Sequence, residues 1–114
     1  MSPHPPKLIR TYHPFVERDL LELGSKNLQL RAVEIIRAIS RGEIRGQRLE
    51  NNDRVGDLSG YFKIYFDESS DVSPRFRIVY QLIPNSSVPH TLKIIVIGER
   101  TNYRVYLEAI RRLT

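Results

Sequence analysis

The sequence predicts a single α+β domain in which an N-terminal helical hairpin and a C-terminal helix pack on a mainly antiparallel sheet of three or four strands. Three observations predict this fold. The 114 residues, 40% hydrophobic and 27% charged, are enough for one core but not two. Apolar residues recur at helical spacing up to residue 42 and again after residue 103. Between residues 61 and 97 they alternate or run continuously, as they do in strands. We therefore expect residues 1–114 to form one domain.

The first elements of the chain are predicted to be helical. Residues 1–6 are rich in proline and are expected to form an irregular lead-in, and Leu8-Ile9 can pair as an edge strand. Pro14 suits the first turn of a helix that Gly24 ends. A second helix from Leu28 to Gly42 has the clearest apolar face, which consists of Leu28, Ala32, Ile35, Ile36 and Ile39.

The middle of the chain is predicted to be a loop followed by the sheet. Residues 43–60 are rich in turn-forming residues and are expected to form a structured loop anchored by Leu49, Val55 and Leu58. Residues 61–66 and 75–83 alternate in polarity, so the loop 67–74 joins them into an antiparallel hairpin. Residues 92–97 are nearly all apolar and are predicted to be the centre of the sheet.

The last helix is predicted to run from Tyr103 to Leu113. Its apolar stripe is read as Tyr103, Tyr106, Leu107, Ile110 and Leu113. Helices are needed to cover only one face of an antiparallel sheet. The opposite face is therefore expected to stay open, and it carries Tyr61, Lys63, Tyr65, Arg75 and Arg77.

Composition excludes several function classes. The chain has no cysteine, so disulfides, thiolate metal sites and cysteine nucleophiles are impossible. His4, His13 and His90 stand apart from carboxylates at ligand spacing, and no metal or cofactor is expected. Neither a phosphate-binding glycine loop nor a Gly-x-Ser-x-Gly motif occurs. No apolar run reaches the length of a membrane span or forms a signal peptide, so we expect a soluble cytoplasmic protein.

The positive charge is concentrated in the second half of the chain. The net charge is +5, and outside the loop 67–74 the residues from 61 onward include eight basic and two acidic side chains. Guanidinium and ammonium groups bind phosphate, and tyrosine rings stack on unpaired bases. The basic and aromatic set consists of Lys63, Tyr65, Arg75, Arg77, Arg100, Tyr103, Arg104 and Tyr106. This combination suits single-stranded RNA.

Each member of this set also has a purely structural interpretation. Tyr103 and Tyr106 share a helical stripe with Ile110 and can belong to the core. Arg104, Arg111 and Arg112 can be a solvated helix face, supported by a pair between Arg112 and Glu108. Arg77 is less easily explained in this way. It lies within a strand beside apolar neighbours, where a charge without a partner is disfavoured.

The strand segments resemble the RelE branch of the RelE/ParE toxin superfamily, the small basic toxins of bacterial type II toxin–antitoxin modules. The resemblance is carried by LSGYFKIYF from residue 58, PRFRIVYQL from residue 74 and IVIGER from residue 95, followed by Val105-Tyr106. It covers nearly all of residues 12–114, and its motifs are specific only from about residue 49. It implies a cytoplasmic, ribosome-dependent endoribonuclease that cuts mRNA in the ribosomal A site. It also implies a cognate antitoxin as partner.

The resemblance implies roles for individual residues. Lys63, Arg77, Arg100 and Tyr106 match the family's catalytic positions. Of the remaining basic and aromatic set, Tyr65, Arg75 and Arg104 are expected to bind RNA on the strength of their own chemistry. Two departures reduce the positive charge. Tyr65 stands where a second lysine is common. Gly98-Glu99-Arg100 stands where Gly-Lys-Arg is common, so Glu99 replaces a lysine. The loop 67–74 is also longer than in compact members.

The implied reaction is attack of an RNA 2′-hydroxyl on the adjacent phosphodiester, with no metal. Cations stabilise the negative charge that gathers on the phosphoryl oxygens. The reference pKa values of Lys, Arg and Tyr are about 10 or above, so these groups are poor proton-transfer catalysts at neutral pH. The ribosome is therefore expected to complete the site.

Two alternatives come from other classes. One is a ParE-like or degenerate member that binds a protein such as gyrase, or only its antitoxin, without cutting RNA. The other is a basic nucleic-acid-binding module without chemistry, whose binding would depend strongly on salt. The joint presence of Lys63, Arg77, Arg100 and Tyr106 favours the RNase.

Overall fold

The computed structural model describes residues 7–114, and its architecture confirms the predicted α+β class. The predicted lead-in of residues 1–6 lies outside the described residues. The elements in chain order are β1 (Ile9–Tyr12), α1 (Val16–Glu22), α2 (Lys26–Ser40), β2 (Gln47–Arg48), β3 (Asn51–Asn52), β4 (Gly56–Asp57), β5 (Tyr61–Phe66), β6 (Phe76–Ile83), β7 (Thr91–Glu99) and α3 (Arg104–Leu113). A short 3-10 turn, Thr101–Tyr103, leads into α3.

The main sheet has five strands in the order β1-β7-β6-β5-β2. Its neighbours are antiparallel except for β1, which runs parallel to β7. The prediction of three or four strands was too low because β2 lies within the predicted loop 43–60. A two-residue strand has no periodicity that a sequence could reveal. The prediction that residues 92–97 form the sheet centre was also wrong, since β6 occupies the middle position.

The first core lies between the sheet and the pair α1 and α2. All five predicted apolar residues of α2 are buried in it. The predicted alternation is confirmed in both hairpin strands, whose core side chains are Phe62, Ile64, Phe66, Phe76, Ile78, Tyr80 and Leu82. Ser25 caps α2 by accepting a hydrogen bond from the Leu28 N–H at 3.3 Å.

An irregularity in β7 determines which residues face each side of the sheet. Val79 pairs with Val96 and Tyr80 pairs with Ile94, so Ile95 is an extra residue between two regular pairs. Ile95 and Val96 both pack in a second core, on the opposite face from Ile94. The continuously apolar sequence of β7 reflects burial on both faces.

The second face of the sheet is only partly open, which corrects the expectation from the sequence. α3 and the segment 49–58 cover most of it, and Val105 and Ala109 of α3 are buried there. Tyr61 packs against this core. The uncovered part of the face includes Lys63 and Tyr65, and Tyr65 is 41% exposed.

The buried side of α3 differs from the predicted stripe. Leu107 and Leu113 are 46% and 38% exposed. The reason is that Arg112 points inward, where its guanidinium contacts the Asp19 carboxylate of α1 at 2.6 and 2.7 Å. The predicted Arg112–Glu108 pair is present as well, at 2.8 Å. A pattern that treats every arginine as surface assigns the wrong face to this helix.

Candidate functional site

The adjacent strands β5 and β6 bring two cations and an aromatic ring together. Tyr65 pairs directly with Arg77 across the two strands. Lys63 lies two residues before Tyr65, so side-chain alternation places all three on the same face. Residues opposite each other on neighbouring strands have adjacent side chains. One hairpin therefore brings the two cations and the ring together.

Arg77 is the most unusual member of this cluster because only 7% of its surface is exposed. Its Nη1 donates to the Pro74 carbonyl at 3.0 Å and to the Phe76 carbonyl at 2.8 Å. Its buried Nε has no hydrogen-bond partner among the described residues. Within that part of the chain, no carboxylate lies within 4.0 Å of the Arg77 side chain. A buried cation with unused donor capacity favours an external anion.

Tyr65 holds the cations in place. The Arg77 guanidinium carbon lies 3.8 Å from the centre of the Tyr65 ring, and the Lys63 Nζ lies 5.3 Å from it. Both distances are within the range of cation–π contacts. The Tyr65 hydroxyl donates to Oε1 of Gln47 at 3.1 Å. Tyr65 adds no charge to the cluster, but its ring orients the charges of Lys63 and Arg77.

Tyr106 joins the cluster from α3. Its ring centre lies 5.8 Å from the Lys63 Nζ, and its side chain packs partly into the second core. The docking of α3 therefore determines the position of Tyr106 relative to Lys63. The structure thus brings together Lys63, Tyr65, Arg77 and Tyr106.

Arg75 is engaged in a different contact. Its guanidinium forms a bidentate pair with Asp67, with distances of 2.8 and 2.9 Å. The Asp67 carboxylate also accepts the backbone N–H groups of Glu68 and Arg75. The hydrogen bonds from Arg75 hold the pKa of Asp67 far below its usual range. The charge of Arg75 is thus largely offset by the buried carboxylate at the start of the loop 67–74.

Arg100 and Arg104 lie beyond the end of β7, and both are exposed. The backbone N–H of Arg100 donates to the Arg75 carbonyl at 3.0 Å, which attaches this turn to the start of β6. Arg104 lines a groove of about 510 Å³ between α1 and α3, together with Arg18 and Glu99. Among the described residues, the side chains of Arg100 and Arg104 make no ion pair and no cation–π contact.

Sequence reasoning missed a cleft of about 300 Å³ beside Lys63 and Tyr106. Its other lining residues come from the segment 48–58 and from Tyr103. The two short strands β3 and β4 form a hairpin that makes one wall. The turn-forming residues between 51 and 57 could have indicated this hairpin, but not where it packs.

Among residues 7–114, no three His, Asp or Glu side chains lie together as a metal-binding group. Over the same range no helix combines the length and the apolar character needed to cross a membrane.

The fold is that of the RelE-like α+β proteins. It matches the solved structure of a mutant of the E. coli toxin RelE in the free state, with a TM-score of 0.63 over 95% of this chain and 99% of that chain. Sequence identity to that toxin is 16%. No protein-family model and no curated protein matches the sequence. The similarity to RelE is thus carried by the arrangement of helices and strands.

Proposed function

We propose that this protein is a metal-independent endoribonuclease that cleaves mRNA on the ribosome and thereby inhibits translation. The observation that carries this proposal is the buried Arg77 guanidinium, which has no carboxylate partner among the described residues and lies on Tyr65 beside Lys63. The RelE-like fold supports it. In this proposal the site is used in the bacterial cytoplasm, and a cognate antitoxin holds the toxin inactive.

The proposed reaction is an internal transesterification. The 2′-oxygen forms a bond to the adjacent phosphorus while the bond from phosphorus to the 5′-oxygen breaks. The products are a 2′,3′-cyclic phosphate, or the 3′-phosphate after hydrolysis, and a 5′-hydroxyl. Water or a ribosomal group accepts the 2′-hydroxyl proton, and the leaving 5′-oxygen takes a proton from water.

The chain's own residues stabilise the charge that develops in this reaction. Lys63 and Arg77 are proposed to contact the non-bridging oxygens of the phosphate, where the negative charge grows in the transition state. Arg100 is proposed to assist the leaving 5′-oxygen. Tyr106, which lies over Lys63, is proposed to contact the nucleotide. Tyr65 and Arg104 would bind flanking RNA, and Arg75 would do so only in addition to its pair with Asp67.

The test is induction of the protein in a translating extract, followed by mapping of the mRNA ends. We expect cuts confined to translated messages, and we expect them to disappear in Arg77→Ala. Because Arg77 is buried, the exposed Arg100→Ala serves as a second variant whose fold is easier to preserve. Arg37→Ala, which removes an exposed arginine from α2, is the matched control and should cut as the intact protein does.

Other outcomes would change the assignment. Growth arrest without mRNA cuts would move the protein to the class that binds a protein target such as gyrase. Neither arrest nor cuts would indicate a degenerate toxin that binds only its antitoxin, with Tyr65 and Glu99 marking the lost chemistry.

A further inference from the structure

The cleft beside Lys63 and Tyr106 has the volume of a binding site for one small group. Its volume of about 300 Å³ is at the lower end of the range of about 300–1,000 Å³ for ligand pockets. Its apolar lining residues are Leu49, Val55 and Leu58, which also belong to the second core or pack against it. Tyr103 and Tyr106 supply aromatic lining near the start of α3.

The far side of the cleft is held by a close contact between β4 and α3. A Cβ atom added at Gly56 would lie 3.1 Å from Cδ1 of Ile110. Gly56 also has a φ of +128°, which residues with side chains rarely adopt. The hairpin of β3 and β4 is therefore fitted against α3, and the space between them is part of the fold.

Tyr103 lines the cleft from a turn whose backbone is left-handed at two successive residues. Asn102 and Tyr103 have φ values of 53° and 61°, so two consecutive residues with side chains adopt the left-handed conformation. Such residues cost free energy and occur preferentially at functional sites. Arg54 fixes the Tyr103 side chain, because its Nη1 donates to the Tyr103 hydroxyl at 3.3 Å. Tyr103 remains 38% exposed and thus accessible to a ligand.

One polar group of the cleft, the Asn51 carboxamide, suits a nucleobase; the other polar lining residues are Arg48, Glu50, Asn52 and Lys63. Asn51 lines it, and the Asn51 side chain makes no hydrogen bond to any of the described residues. A free carboxamide can pair with the edge of a base, while aromatic and apolar side chains pack against its faces. Lys63 lines the cleft and also belongs to the proposed phosphate site. A base bound here would have a phosphate of the same strand near Lys63.

We propose that this cleft binds one unpaired nucleobase of single-stranded RNA, adjacent to the phosphate held by Lys63 and Arg77. This inference rests on the proposed function for the identity of its ligand. It assigns base recognition to the hairpin of β3 and β4 and to Tyr103, outside the set of charged residues that acts on the phosphate.

The experiment measures binding of a fluorescent RNA hexanucleotide that carries 2′-O-methyl groups and therefore cannot be cleaved. It is titrated at low salt, where contacts to phosphate are strongest. A matched series replaces one base at a time by an abasic site. We expect one abasic position to weaken binding by about tenfold, the effect of losing one stacked base.

Val55→Phe, which fills the cleft, tests where that base binds. We expect this variant to bind the intact RNA more weakly by about the same factor. Its binding of the RNA with the one important abasic position should equal that of the unchanged protein, since both changes remove the same contact. Arg77→Ala should weaken intact and abasic RNAs alike. Val72 is exposed in the loop 67–74, so Val72→Phe is the control for the added ring. Circular dichroism checks the fold of each variant.

The outcomes separate this inference from the proposed function. Equal binding of all abasic RNAs, no binding of the intact RNA, or a base effect that persists in Val55→Phe would overturn the cleft assignment. Messages could still be cut in the extract under any of these results. Conversely, base-dependent binding lost in Val55→Phe would support the cleft even if no message were cut.

Discussion

The Arg77 guanidinium carbon lies 3.8 Å from the centre of the Tyr65 ring, and the two residues are direct partners across β5 and β6. The guanidinium is held on one side by this ring and at its Nη1 by two backbone carbonyls. Its Nε stays without a partner among the described residues. The contact thus orients a buried cation whose Nε keeps its donor capacity unused.

Replacing Tyr65 tests this orienting role. Tyr65→Leu removes the ring under Arg77, and a cation–π contact contributes about 0.5–2 kcal/mol. We therefore expect mRNA cleavage in a translating extract to slow by roughly 2- to 30-fold. Tyr65→Phe keeps the ring and loses only the hydroxyl bond to Gln47, so it should cut nearly as fast as the intact protein. Equal rates for the two variants would show that the ring has no such role.

Gly46 is predicted to be intolerant of alanine. An added Cβ would overlap the carbonyl oxygen of Lys63, and the Gly46 N–H donates to the Tyr80 hydroxyl at 2.7 Å. Gly46→Ala should lower the free energy of unfolding by about 1–3 kcal/mol, as overpacking typically does. Urea denaturation measures this. Gly98→Ala is the control, because a Cβ atom added at Gly98 would lie 3.8 Å from Cγ2 of Val105, which is an ordinary contact. If Gly46→Ala were as stable as Gly98→Ala, β2 would have to shift freely against β5.

The Asp19–Arg112 pair is predicted to secure α3 to the rest of the fold. The Asp19 carboxylate accepts two hydrogen bonds from the Arg112 guanidinium, at 2.6 and 2.7 Å, and one from the Ile97 N–H at 3.0 Å. The side chains of Asp19 and Arg112 are both buried. Asp19→Ala leaves the guanidinium and that N–H without their acceptor. It should reduce stability by about 3–5 kcal/mol in urea denaturation.

Two comparisons make this prediction specific. Arg111→Ala removes a neighbouring arginine whose side chain is 69% exposed, and it should change stability by less than about 0.5 kcal/mol. The double variant Asp19→Leu/Arg112→Met removes both charges and should recover most of the loss. A single variant as stable as Arg111→Ala would contradict a structural role for the buried pair.

The lowered pKa of Asp67 predicts that the protein loses stability in acid. Hydrogen bonds from Arg75 lower its pKa in the folded state, while an unfolded aspartate titrates near 3.9. The stabilisation is therefore fully present well above pH 4 and is lost as the pH falls from about 4 through the lowered folded pKa. Unfolding in urea at a series of pH values measures this. Asp67→Asn should flatten the profile below pH 4, and an unchanged slope would count against Asp67 as its source.

Local patterns were sufficient for much of the fold and part of the site. The apolar spacing of α2 and the alternation of β5 and β6 correctly predicted which residues enter the first core. The same alternation placed Lys63, Tyr65 and Arg77 on one face. These predictions succeed because backbone geometry alone determines which side a residue faces.

The sequence by itself determined the fold class, the main elements and the cation cluster on β5 and β6. Only the tertiary structure decided that Arg112 turns inward to Asp19, that Asp67 engages Arg75, and that Tyr106 lies over Lys63. It also created the cleft between β4 and α3. The physical reason is that periodicity reports average hydrophobicity along one element. The partner of a buried charge and the position of a helix over a sheet depend instead on side chains brought together from distant parts of the chain.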